Sequence, residues 1–127
     1  MTNSFVQLST AQRLLGLTLT IAVAVTVTWL MLAPVKSGPP GLPHLDKLAH
    51  FLAFFGITLP AAAVLPRKDV VIVLAAALFG LGIELVQPSF GRFFEWGDVA
   101  ANALGATCGA VIGRAWVFPW LAARQPR

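Results

Sequence analysis

The segment GIELVQPSFGRFFEWGDVAANALGA, residues 82–106, separates two stretches that are each apolar enough to cross a membrane. It contains the polar side chains Glu84, Arg92, Glu95, Asp98 and Asn102. A charged side chain at the centre of a bilayer costs about 2.5–3.5 kcal/mol, so several of them persist only where they meet partners or water. We therefore expect the functional site in this segment.

Composition indicates that lipid is the solvent of this chain. Hydrophobic residues make up 57% of its 127 residues and charged residues 11%, whereas an ordinary soluble domain has about 25% charged residues. The net charge is +4, but Lys and Arg are scattered at the ends of apolar segments, so nucleic acid is not an expected partner. With Cys108 as the single cysteine, no intrachain disulfide can form.

Four apolar stretches have the length of transmembrane helices, at about residues 14–33, 47–65, 70–87 and 98–118. About twenty helical residues are needed to cross a hydrocarbon core of about 30 Å. The linkers between the stretches are short, which favours antiparallel neighbours. Residues 1–127 are thus predicted to be one domain, an all-α membrane protein folded as a four-helix antiparallel bundle with short loops.

The first stretch also has an alternative interpretation as a signal peptide. Arg13 precedes it, and Ala22-Val23-Ala24 has the small-x-small pattern of a cleavage site. Its apolar run continues to Ala33, however, which is longer than the usual signal-peptide core of about 7–15 residues. A membrane span is therefore the favoured interpretation.

The distribution of basic residues predicts the orientation in the membrane. An even number of spans puts both termini on one side, which then holds Arg13, Arg67, Lys68, Arg114, Arg124 and Arg127. The opposite side holds only Lys36, Lys47 and Arg92 as basic residues. The positive-inside rule places both termini in the cytoplasm of a bacterial cell, and the Arg92 loop on the outer face of its cytoplasmic (inner) membrane.

Polar side chains recur on one face of each of the last three predicted helices, near the outer end. Residues three or four apart share a helix face, and the pairs with this spacing are Asp46 with His50, Glu84 with Gln87, and Asp98 with Asn102. These groups would lack partners if they faced lipid. We expect the three polar stripes to face one another inside the bundle.

Simpler roles also fit some of these residues. Asp46 and Asp98 suit helix N-cap positions, where a carboxylate is favoured. Arg92 suits an ordinary surface ion pair with Glu95 or Asp98, which contributes little to stability.

Gly105, Gly109 and Gly113 follow on the same face of the fourth predicted helix. They form overlapping small-xxx-small pairs, a pattern that lets a neighbouring helix approach closely. Packing within the bundle and homodimerisation both agree with this pattern.

Two segments resemble the signatures of the VanZ-like family of small membrane proteins, DKLAHFLAFF at residues 46–55 and the segment at residues 82–106. The family pattern is Asp-Lys-x-x-His, then Glu-x-x-Gln, an Arg and Asp-x-x-x-Asn, and here it falls on Asp46, Lys47, His50, Glu84, Gln87, Arg92, Asp98 and Asn102. An aromatic residue that is often Tyr in the family is Phe54 here. The name-giving member is associated with low-level resistance to the glycopeptide teicoplanin, and most members have no settled biochemical activity.

These eight residues are the candidate ligand-binding set. The first hypothesis is an outward-facing pocket for the polar head group of a cell-envelope lipid or a glycopeptide-related molecule, in an accessory role. Lys47 and Arg92 would contact anionic groups, since ammonium acts as a point charge and guanidinium binds phosphate in a bidentate manner. The second hypothesis is a structural subunit of a larger membrane complex, docked through the three glycines and the apolar flanks.

The third hypothesis is an intramembrane enzyme with Glu84 or His50 as general base. No nucleophile stands next to a base in the sequence, so no catalytic residue is identified and the balance is against an enzyme. His44 and His50 are too few to predict a metal site. Neither a metal nor a cofactor is expected.

Overall fold

The computed structural model describes residues 8–34 and 44–124, so Lys36 and Arg127 lie outside the described residues. The described chain is helical throughout, with α1 at Thr10–Leu32, α2 at Leu45–Val64, α3 at Asp69–Val86, α4 at Trp96–Ile112 and α5 at Phe118–Ala122. A 3₁₀ turn at Gln87–Phe90 extends α3. A π-helical turn at Gly113–Val117 joins α4 to α5 without a break in the helical backbone.

Three helical segments are long and apolar enough to cross a membrane, Thr10–Leu32, Leu45–Val64 and Asp69–Phe90. They coincide closely with the first three predicted spans. The fourth predicted span falls on a composite segment, because α4 has 17 residues and continues through the π-helical turn into α5. The protein is therefore all-helical with three candidate membrane spans, and a fourth span stays a prediction.

The surface and the interior of the bundle are inverted relative to a soluble protein. Large apolar side chains face outward, as in the cases of Val70 (72% exposed) and Leu78 (70%). His50 and Glu84, in contrast, are 2% and 0% exposed. Backbone groups are satisfied within helices and polar side chains are directed inward, which is the arrangement that a lipid solvent requires.

The closest helix pair is α2 with α4, and its two helices run parallel. A Cβ atom added at any of three glycines of α4 would overlap a backbone oxygen of α2: Gly105 meets Phe51, Gly109 meets Phe55, and Gly113 meets Leu59. Each step of four residues along α4 matches a step of four along α2. We call these three glycines the glycine stripe. Because a glycine has no side chain, the two backbones touch directly along this stripe.

Consecutive helices run antiparallel, as the short connections require. On α1, Gly16 approaches Val64 at the end of α2, and on α3, Gly80 approaches Asn102 near the start of α4. The expectation of an antiparallel bundle thus holds for neighbours along the chain, but the most extensive contact joins the parallel pair α2 and α4. The sequence pattern did not indicate which helices would pair.

The predicted helix caps at Asp46 and Asp98 are wrong. The N-cap residues are His44, which has left-handed backbone geometry (φ 68°), and Glu95. Both aspartates lie in the first turn of their helices, where the positive end of the helix dipole still favours a carboxylate. Both carboxylates bind the Lys47 ammonium.

Candidate functional site

Polar side chains from α2, α3 and α4 meet at one end of the bundle. At this end α2 and α4 begin and α3 ends. We call the following set the polar cluster: Asp46, Lys47, His50, Glu84, Arg92, Glu95, Asp98 and Asn102. The structure brings together seven of the eight sequence-derived candidates in this cluster, and the eighth, Gln87, faces elsewhere.

Lys47 is surrounded by three carboxylates. Its Nζ donates to Glu95 Oε2 at 2.7 Å, to Asp98 Oδ1 at 3.2 Å and to Asp46 Oδ2 at 3.3 Å. These contacts tie the start of α2 to the start of α4. The ammonium group is already matched by negative charge, which leaves it poorly suited to the anion contact expected from the sequence.

His50 lies deeper, between α3 and α4. Its Nδ1 is 3.0 Å from Asn102 Oδ1 and 3.5 Å from Glu84 Oε1. On the other side of the ring, Nε2 is 3.8 Å from Asp98 Oδ2. The imidazole therefore has oxygen atoms facing both of its nitrogens.

Glu84 is a buried carboxylate with few donors around it. Its Oε2 accepts a hydrogen bond from the Glu95 backbone N–H at 3.4 Å. Its Oε1 has no hydrogen-bond partner among the described residues. A buried carboxylate that lacks donors is costly, so this oxygen marks a point where the described chain alone does not compensate the charge.

Gln87 is nearly completely buried and serves a different contact. Its Nε2 donates to the Met31 carbonyl oxygen at 3.0 Å, which fastens the 3₁₀ turn after α3 to the end of α1. The spacing of Glu84 and Gln87 had suggested a shared role. The structure instead gives the amide a partner on α1, away from the polar cluster.

Arg92 faces a cavity at the edge of the polar cluster. Gly91, with φ 78°, lets the chain turn back after the 3₁₀ segment. The Arg92 side chain then lines a cavity of about 230 Å³ together with Asp46, His50 and α1 residues such as Met31. Within residues 8–34 and 44–124 its guanidinium makes no hydrogen bond or ion pair, so it is available to an anionic group.

The polar cluster carries an excess of negative charge. Its carboxylates are Asp46, Glu84, Glu95 and Asp98, and its permanent cations are Lys47 and Arg92. Four negative charges against two positive charges leave −2 when His50 is neutral. A simple dianion is therefore a poor match for the cluster as a whole.

Several contributing residues were missed from the sequence. Glu95 belongs to the cluster through both its carboxylate and its backbone N–H, although the sequence suggested only a surface partner of Arg92. Thr58 donates across the helix interface to the Ala106 carbonyl oxygen at 2.8 Å. A Cβ at Gly80 would lie 3.0 Å from Asn102 Nδ2. The glycine-rich run around Gly80 was a usable signal for this close contact.

A family model described as VanZ/LLP1 matches residues 2–118. The chain belongs to the VanZ/LLP1 family. The match covers α1 to α4, so the family relationship extends well beyond the two segments that resembled its signatures. Neither a curated protein nor a solved structure matches the chain at a significant level. As a VanZ/LLP1 protein with three helices able to span a bilayer, it is a membrane protein of an envelope- or resistance-associated type.

Proposed function

We propose that this VanZ/LLP1 protein is an accessory protein of the bacterial cell envelope that binds the polar head group of a lipid or glycopeptide-related molecule. In this proposal it crosses the cytoplasmic membrane four times, with both termini inside and the polar cluster facing outward. The observation that carries the proposal is the Arg92 guanidinium, which lines a cavity without a carboxylate bound to it.

The cavity offers contacts of both signs. Arg92 supplies hydrogen-bond donors for phosphate or carboxylate, and Asp46 supplies acceptors on the same wall. Since the polar cluster is negative overall, a head group that carries donors as well as acceptors fits it better than a bare anion does. Phosphate next to hydroxyl, amine or amide groups has this character and is common in envelope lipids and their precursors.

The orientation is supported by the opposite end of the bundle, which is rich in basic residues. Arg67 and Lys68 lie between α2 and α3, and Arg114 forms an ion pair with Asp69 across the α3/α4 contact. The Arg124 guanidinium lies 3.7 Å from the Trp120 ring centroid, an arrangement suited to a membrane interface. Positive charge at this end favours the cytoplasmic side.

The test is the set of lipids that co-purifies with the protein in mild detergent, identified by mass spectrometry. Wild type is compared with Arg92→Gln and with a matched control, Lys68→Gln, which removes one exposed cation at the opposite end. We expect one class of envelope lipid to be enriched over its membrane abundance with wild type and Lys68→Gln, and not with Arg92→Gln. Equal lipid profiles for all three proteins would contradict the proposal.

The alternative of a complex subunit docked through its glycines has less support. All three residues of the glycine stripe are in contact with α2, so they do not form a free surface. The same contact argues against a homodimer formed through this stripe. A docking role would need a different face of the protein.

A further inference from the structure

We propose that His50, Glu84 and Asp98 form a binding site for one divalent transition-metal cation. The ligands are an imidazole nitrogen and two carboxylate oxygens, one from each of three helices. A ligand atom of each residue lies within 4.8 Å of the other two, and all three residues are buried. This inference goes beyond head-group binding and does not depend on it.

Whichever tautomer the His50 ring adopts, one ring nitrogen presents a lone pair to an oxygen atom, and a cation between the two would relieve this contact. If Nδ1 carries the proton, Nε2 presents a lone pair to Asp98 Oδ2 at 3.8 Å. If Nε2 carries the proton, Nδ1 presents a lone pair to Asn102 Oδ1 at 3.0 Å and Glu84 Oε1 at 3.5 Å. In each case an acceptor faces an acceptor, which is unfavourable unless a cation or a carboxyl proton lies between them.

The distances suit a metal ion better than a hydrogen bond. Separations of 3.5 Å to Glu84 and 3.8 Å to Asp98 are too long for good N–H···O bonds. Two ligands at about 2.1 Å from a tetrahedral ion lie about 3.4 Å apart. The 3.5 Å separation between Nδ1 and Glu84 Oε1 is close to this value, whereas Asp98 Oδ2 lies nearer the opposite ring nitrogen and would have to move to share one ion with Glu84.

A protonated His50 is the competing explanation, and it compensates the site less well. An imidazolium reduces the charge of the polar cluster from −2 to −1, whereas a divalent ion with neutral His50 reduces it to zero. Protonation also leaves Glu84 Oε1 without a donor, because the Nδ1–H bond is directed to Asn102 Oδ1. A metal ion satisfies this oxygen directly.

A second group of acidic residues at the same end does not carry a similar proposal. Asp46, Glu95 and Asp98 also have oxygens within 4.8 Å of one another. The Lys47 ammonium already binds all three carboxylates, so each of them has a cationic partner within the protein. In the group of His50, Glu84 and Asp98, by contrast, no lysine or arginine nitrogen makes an ion pair with Glu84 within the described residues.

The donor set indicates the class of metal. An imidazole nitrogen favours ions such as Zn²⁺ over Mg²⁺ and Ca²⁺, which prefer oxygen alone, and the two carboxylates also suit Mn²⁺. Three protein ligands leave a coordination position open to water or another molecule.

The test uses tag-free protein in detergent, treated with a chelator and then titrated with Zn²⁺ or Mn²⁺ by calorimetry. We expect one ion per chain and a much weaker response to Mg²⁺. Glu84→Gln and Asp98→Asn keep side-chain size and remove charge, and each is expected to weaken binding by at least about tenfold, the lower range for loss of even an outer-shell partner. Asp69→Asn, which removes a carboxylate at the opposite end of the bundle, is the matched control and should bind nearly as wild type does.

A second measurement does not depend on the folding of the variants. Pulsed electron paramagnetic resonance of Mn²⁺ bound to wild type should detect coupling to an imidazole nitrogen. The proposal is overturned if wild type binds no ion, if the bound Mn²⁺ shows no nitrogen coupling, or if folded Glu84→Gln and Asp98→Asn bind as tightly as Asp69→Asn. Because no lipid is added, these results are independent of head-group binding.

Discussion

His50 on α2 and Asn102 on α4 are joined by a 3.0 Å contact between Nδ1 and Oδ1. His50 immediately precedes Phe51, and Asn102 lies about one turn before Gly105, so the polar contact and the close Phe51–Gly105 backbone contact share one register. A shift of either helix along its axis would break both. The geometry of the polar cluster therefore depends on glycines that do not belong to it.

Gly105→Ala should destabilise the protein, because the new Cβ would overlap the Phe51 carbonyl oxygen. Overpacking of this kind costs about 1–3 kcal/mol. The matched control is Gly82→Ala on α3, where a Cβ meets nothing within 4 Å, so the gain in helix propensity should leave stability unchanged or slightly raised. Thermal unfolding in detergent measures both, and equal midpoints would refute the packing argument.

Lys47→Met should lower the free energy of unfolding, because it leaves three carboxylates without their shared cation. Part of this loss should be recovered in the double variant Lys47→Met/Glu95→Gln, which removes one of the repelling charges. Chemical unfolding of the two single variants and the double variant gives the coupling. Strict additivity would mean that the network contributes no shared energy.

Glu84→Gln and His50→Ala should be non-additive, because their side chains lie 3.5 Å apart in the interior. Residues in such contact typically show coupling of about 0.5–3 kcal/mol. The cycle is measured by thermal unfolding with a chelator present, so that metal binding does not contribute. If the two stability losses simply add, the side chains do not interact energetically, and the description of them as one cluster would be contradicted.

The polar cluster should face the outside of the cell. Single cysteines are placed by Ser89→Cys, next to the cluster, and by Arg67→Cys, at the opposite end, in a Cys108→Ala background. An impermeant thiol reagent should label position 89 in intact cells and label position 67 only after lysis. The reverse pattern would show that the orientation is inverted.

The helices and the polar residues were accessible from sequence because both depend on local pattern. The length of each apolar stretch identifies the spans, and polar residues spaced three or four apart identify the polar faces of α2, α3 and α4. The partners within the cluster were not accessible in this way. Lys47 binds Glu95 and Asp98 only because the glycine stripe sets α2 parallel to α4, and this alignment is a long-range property.

The first residues of α2 and α4 also could not be predicted from the local sequence pattern. Asp46 and Asp98 are good capping residues by type, yet the incoming chain starts each helix earlier, after His44 and after Glu95. Glu95 was not among the eight candidate residues for a related reason. It lies just before α4, where helical periodicity does not yet apply. Its position was decided by the turn at Gly91 and not by any spacing.

The bundle has a tightly held part, made of α2, α3 and α4, and a more weakly attached helix, α1. Direct backbone contact locks α2 to α4, and α3 is held to them by Glu84 and by the Asp69–Arg114 ion pair. In contrast, α1 packs on α2 but hardly touches α3, and an apolar groove of about 780 Å³, lined by residues that include Trp29 and Phe79, separates them. A molecule that enters this groove from the bilayer would therefore displace α1 against apolar contacts and the Gln87–Met31 hydrogen bond, while the polar side chains of α2, α3 and α4 keep their spacing.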